Sequence, residues 1–154
     1  MKKKIILLIV LLLSIFTFTG CSINKKVLTK EEFKTKMEDK GYKVTDDSEG
    51  YADYEHFKNV SIATKDDYRI EYYEFDKLDY AKDIYEKSKE ELEDENHVAK
   101  STLEVNFGNH QKYEVTASKK YNITMRVDKT MIYVTTEEKY KKEVIEALKE
   151  LGYY

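Results

Sequence analysis

The chain has 154 residues, with 27 Lys plus Arg against 30 Asp plus Glu, a net charge of −3, one Cys, no Pro and no Trp. That balance lacks the basic excess a nucleic-acid partner requires, and a single thiol excludes an internal disulfide framework. With 41% hydrophobic and 37% charged residues, the composition fits a single domain held by its own core.

The first element is a leader. Lys2, Lys3 and Lys4 form a positive cluster, Ile5 to Phe18 are apolar except for Ser14 and Thr17, and the small pair Thr19-Gly20 follows. This is the three-part layout of an export signal, and its apolar run falls short of the roughly 20 residues that a permanent span needs. Phe18-Thr19-Gly20-Cys21, followed by Ser22, resembles the lipobox of bacterial lipoproteins. The resemblance implies cleavage between Gly20 and Cys21, a diacylglyceryl group on the Cys21 thiol, palmitate-type acylation and residence on the outer face of the cell membrane. The alternative is an ordinary thiol closing an uncleaved anchor. Losing residues 1–20 removes three of the 27 basic residues and none of the 30 acids, which brings the mature chain near −6.

Residues 21–28 read as the lipidated N-terminus and a short tether, in which Lys25 and Lys26 either meet anionic head groups or stay in solvent. Thr29-Lys30-Glu31-Glu32 has capping-box spacing, Phe33 and Met37 share a helical face, and Gly41 suits the helix stop. A strand starts near Tyr42, and residues 46–58 read as a loop with a short helical turn. Val60 to Thr64 and Tyr68 to Phe75 form a hairpin about residues 65–67. In its second arm Tyr68, Ile70 and Tyr72 oppose Tyr73 and Phe75, which demands either a bulge or two covered faces.

Asp76 is placed to cap a helix on which Leu78, Ala81, Tyr85, Ser88 and Leu92 recur at helical spacing. Then apolar Leu103, Val105 and Phe107 alternate with polar neighbours up to the Gly108-Asn109 turn. Tyr113, Val115 and Ala117 follow, then Tyr121, Ile123, Met125 and Val127, and a strand from Thr130 to Thr135. Short turns make these four strands an antiparallel meander. The last helix has Thr135 and Glu138 at capping-box spacing, an apolar stripe of Tyr140, Val144, Leu148 and Leu151, and Gly152 as its stop. The predicted fold is α+β: residues 29–154 form one domain, an antiparallel sheet of six to seven strands with its helices packed on one face.

Chemistry is sparse. His56, His97 and His110 are far apart in sequence and sit in polar contexts, so they read as surface histidines without a shared metal. No nucleophile, phosphate-loop or zinc motif occurs. The acid pairs Asp46-Asp47 and Asp66-Asp67 and the run Glu90 to Glu95 read as solvated charge. The fourteen tyrosines stand out. Each has a flat apolar face and a polar tip, suited to a core or to gripping a ligand. Tyr51, Tyr54, Tyr72 and Tyr73 do not all fit one core face and are the candidate ligand-binding residues. The expected function is a non-enzymatic, membrane-anchored binding module of the cell envelope with a protein or peptide partner, without nucleic acid, metal or cofactor beyond the lipid on Cys21. The alternative is a small envelope hydrolase assembled from scattered His and carboxylates.

Overall fold

The computed structural model describes residues 24–95 and 100–154. The leader, the Gly20–Cys21 junction and His97 lie outside the described residues. In chain order the elements are α1 (Lys30–Asp39), β1 (Lys43–Asp46), a 3-10 turn (Ser48–Tyr51), β2 (Phe57–Lys65), β3 (Tyr68–Phe75), α2 (Leu78–Glu95), β4 (Ser101–Phe107), β5 (His110–Ala117), β6 (Lys120–Val127), β7 (Thr130–Glu137), a second 3-10 turn (Glu138–Tyr140) and α3 (Lys141–Leu151). All seven strands join one antiparallel sheet in the order β1-β2-β3-β7-β6-β5-β4. The chain thus makes a three-strand meander, crosses to the far edge through α2, and returns strand by strand until β7 docks against β3.

Local chemistry sets the helix ends. Thr29 accepts a hydrogen bond from the Glu32 amide while the Glu32 carboxylate accepts one from the Thr29 amide, both at 3.1 Å, which closes the expected capping box. At the end of α3 the Gly152 amide bonds the Lys149 carbonyl and the Tyr153 amide bonds the Leu148 carbonyl, both at 3.0 Å, with Gly152 at φ 82°. This is a Schellman stop, and it turns Tyr153 back into the core. The expected capping box at Thr135 and Glu138 does not form. β7 runs through Glu137, so Thr135 is a strand residue, and α3 begins only at Lys141 without a side-chain cap. The Asp76 carboxylate, just before α2, contacts the His56 ring at 3.0 Å.

The sheet is covered on both faces, which corrects the expected placement of every helix on one. On the first face Tyr68, Ile70, Tyr72, Tyr121, Ile123, Met125, Val127, Ile132 and Val134 pack with Phe33 and Met37 of α1 and Val144, Ala147, Leu148 and Leu151 of α3. On the second face Tyr73, Phe75, Tyr113, Val115, Met131 and Tyr133 pack with Ala81, Tyr85 and Leu92 of α2. The topology requires this. From β3 to β4 the chain must cross four strand spacings, about 19 Å, and an 18-residue helix is about 27 Å long. With α1 and α3 filling the first face, the crossing helix takes the second. The mixed pattern of β3 therefore reflects two covered faces, while the irregularity in this hairpin falls in β2, between Phe57 and Asn59.

The apolar side of β4 is the exception. Leu103 pairs with Glu114, Val105 with Lys112 and Phe107 with His110, so these three point to the first face beyond the reach of α3. Leu103 remains 44% and Phe107 60% exposed.

Residues 25–29, just before α1, are part of the fold rather than a free tether. Leu28 is buried, and its carbonyl accepts a hydrogen bond from the Tyr72 hydroxyl at 2.8 Å. The Lys25 amide donates to Asn109 Oδ1 at 2.8 Å, and Asn109 Nδ2 donates back to the Lys25 carbonyl at 2.9 Å. The two lysines differ in their surroundings. Lys25 Nζ donates to the backbone oxygens of Tyr153 at 2.8 Å and Tyr154 at 3.2 Å, where the α3 dipole favours a cation. Lys26 pairs with Glu32.

Candidate functional site

A cleft of about 250 Å³ opens on the second face, between α2 and the segment that follows the first 3-10 turn. Tyr51 and Phe57 form one wall, Ile84, Ser88 and Glu91 of α2 another, and Glu71, Tyr73, Met131 and Tyr133 the floor. The floor exists because β3 pairs with β7: Glu71 lies opposite Tyr133 and Tyr73 opposite Met131. The wall is a chain of ring contacts, with centroids 5.1 Å apart for Tyr51–Phe57, 5.8 Å for Tyr51–Tyr73 and 5.9 Å for Phe57–Tyr73. Such tilted and edge-on pairs hold the rings in fixed relative orientations.

Of the four tyrosines named from the sequence, two line this cleft. Tyr51 and Tyr73 do so; Tyr54 stacks outside against Tyr51 and is 60% exposed. Tyr72 is fully buried on the opposite face, stacked on Phe33 with centroids 5.0 Å apart, and is a core residue. Phe57, Glu71, Ile84, Ser88, Glu91, Met131 and Tyr133 complete the lining and were not among the site residues expected. Tyr133 becomes a partner only through the long-range β3–β7 pairing, for which the sequence carries no local signal.

The cleft's electrostatics favour positive charge. The Tyr73 hydroxyl donates to Glu71 Oε2, and Arg69 Nε holds Glu71 Oε1 at 2.5 Å. Burial and then the Glu71 carboxylate push the Tyr73 phenol well above its usual range. Burial also raises Tyr133, whose hydroxyl accepts a hydrogen bond from Thr135, and the carboxylates of Glu95, Glu71 and Glu91 raise it further. Two carboxylates, Glu71 and Glu91, line the cleft itself, and Glu71 is the one held by Arg69. Elsewhere the protein seats its own lysines on tyrosine rings, as with Lys112 over Tyr154 at 3.8 Å and Lys141 over Tyr121 at 4.8 Å. Among the described residues, no such cation covers Tyr51, Phe57, Tyr73 or Tyr133.

The histidines take separate positions. His56 Nδ1 lies 3.0 Å from Asp76 Oδ1, and Nε2 lies 3.2 Å from Lys77 Nζ and 3.8 Å from Glu55. Among the described residues no hydroxyl or thiol is hydrogen-bonded to this ring. No group of three or more metal-ligating side chains converges among the described residues. The Asp46 carboxylate stays exposed and holds Lys30 Nζ at 2.5 Å and Ser48 Oγ at 2.6 Å, which lowers it to about 2.

His110 is not the surface histidine expected. It is 7% exposed, and burial, followed by the charges of Lys25 and Lys112, lowers it to about 4. The consequence for stability has a definite sign. Between pH 6.5 and 4 the unfolded chain protonates this ring and the native state does not, so the native state loses stability as pH falls through that window. We expect His110 to remove about 1–2 kcal/mol between pH 6.5 and pH 5. Urea titrations of the wild type and His110→Gln at both pH values check this: the variant should lose less stability over the interval, and equal losses would show that the ring is not held neutral.

Comparison with protein-family models, curated proteins and solved structures finds no match to this chain.

Proposed function

We propose that this protein is a lipid-anchored, extracytoplasmic binding module, non-enzymatic, that takes the cationic head group of a small organic ligand into the cleft between α2 and the β3–β7 pair. The anchor reading rests on Phe18-Thr19-Gly20-Cys21 after an export-type leader. The binding reading rests on one observation: four aromatic rings, over which no cation of the described residues is seated, share a cleft with Glu71 and Glu91. A ring face attracts an organic ammonium by about 0.5–2 kcal/mol when partly desolvated, and nearby carboxylates add to it. At about 250 Å³ the cleft falls below the roughly 300–1,000 Å³ of sites for drug-sized ligands, so it suits a head group rather than an extended cofactor.

The test is an NMR titration with choline and with its uncharged tert-butyl analogue, following the side chains of Tyr51, Tyr73 and Tyr133. Choline should shift these resonances and bind about tenfold more tightly than the analogue, the ratio expected for one or two ring contacts. Tyr51→Leu, which keeps apolar bulk but removes a π face, should weaken choline selectively. Equal affinity for both probes would contradict the cationic reading. Unmoved cleft resonances with both would contradict the site itself.

A further inference from the structure

The anchored reading has a geometric consequence, because the chain between the acylated thiol and the fold is short. Lys25 is clamped to Asn109, and only Ser22, Ile23 and Asn24 separate it from Cys21. Four residue steps reach at most about 14 Å, so the face around Lys25 is held against the bilayer. That face is one end of the sheet. The pairings Phe57–Phe75, Glu74–Thr130, Thr130–Val127, Val127–His110 and His110–Phe107 run along it from β2 to β4.

Three of the four exposed large hydrophobic side chains among the described residues lie on this same end: Phe107 at 60%, Tyr54 at 60% and Val27 at 37%. Phe107 stands at the edge strand beside the turn that clamps Lys25. Val27 lies next to Lys129 and Thr130, and Tyr54 contacts Phe57 at the start of β2. They are spread over about five strand spacings, roughly 24 Å, instead of forming one patch. A protein partner needs a contiguous apolar surface, whereas a bilayer interface accepts separate side chains, each inserted on its own.

The geometry points to this end of the sheet as a membrane-contact face, with Phe107, Tyr54 and Val27 set into the head-group layer. It rests on the anchored reading proposed above. Acids (Asp53, Glu55, Asp128) and bases (Lys26, Lys77, Lys129) both stand among the apolar groups, so the charge there is mixed and the contact proposed is the apolar one, which does not require anionic lipid. The chain has no Trp, so a single introduced indole reports its own surroundings. In phosphatidylcholine vesicles with brominated acyl chains, the full lipidated protein carrying Phe107→Trp should emit to the blue and be quenched several-fold more than one carrying Ser101→Trp. Ser101 lies at the other end of the same strand, about 20 Å away. Equal quenching of the two, in protein that floats with the vesicles, would overturn the contact face and leave the anchor intact. Protein left behind when the vesicles float would overturn both.

Discussion

Replacing Tyr72 by Ala should destabilise the domain by about 3–5 kcal/mol, the range for removing a fully buried aromatic side chain. Tyr72 is fully buried at the centre of the first face, stacks on Phe33 of α1 and donates its hydroxyl to the Leu28 carbonyl. One side chain therefore ties the sheet, the first helix and the segment that precedes it. A domain of this size has about 5–15 kcal/mol to lose, so the variant will sit near its unfolding midpoint. Tyr72→Phe keeps the measurement available. It retains the stacking and leaves only the Leu28 carbonyl without its partner, for about 1–2 kcal/mol. Urea unfolding of all three proteins should show the two steps with an unchanged m-value. Losses below about 1 kcal/mol for Tyr72→Ala would mean the site is not packed as described.

Cys21→Ala should change location completely and stability hardly at all. A single acyl chain binds a membrane reversibly, with a constant of about 10⁴ M⁻¹, and two make the attachment stable. Without the thiol there is no site for the diacylglyceryl group, so the protein should leave the membrane fraction for the medium or keep an uncut leader. Fractionation by mass distinguishes these. The urea midpoint of the released domain should match that of the wild type, because the bonds that tie Lys25 to Asn109 do not use the Cys21 side chain. Unchanged mass together with unchanged membrane association would contradict the assignment.

Much of the fold follows from local chemistry. The Thr29 capping box, the stop at Gly152 and the four-strand C-terminal meander all rest on residues within a few positions of one another. Even the burial pattern of β4 and β5 was contained in the turn. A two-residue loop at Gly108-Asn109 pairs Phe107 with His110, so every odd-numbered residue of β4 faces an even-numbered residue of β5. The apolar sets of both strands are odd-numbered and must point to opposite faces. Counting apolar alternation strand by strand misses this, and so assigns the sheet a single apolar face. Following parity through the turns shows two.

The remaining features depend on contacts between distant parts of the chain. Nothing near Tyr73 announces that Met131 will lie opposite it, so the cleft floor and the role of Tyr133 could not be read ahead. His110 looks like a turn residue until Lys25 and the end of α3 close over it. Tyr72 and Tyr73 are neighbours in sequence, yet the pleat sends one to the core and the other to the cleft. The proposed anchor, by contrast, rests wholly on the sequence of residues 1–22 and on no tertiary contact.

Intact-mass and peptide mass spectrometry of the protein isolated from its native membranes bears most directly on the account. The expected species begins at Cys21, lacks residues 1–20 and carries a diacylglyceryl thioether on that residue. A chain that retains Met1 to Gly20, or begins elsewhere with residue 21 as a free thiol, would remove the anchor and with it the membrane-facing end of the sheet.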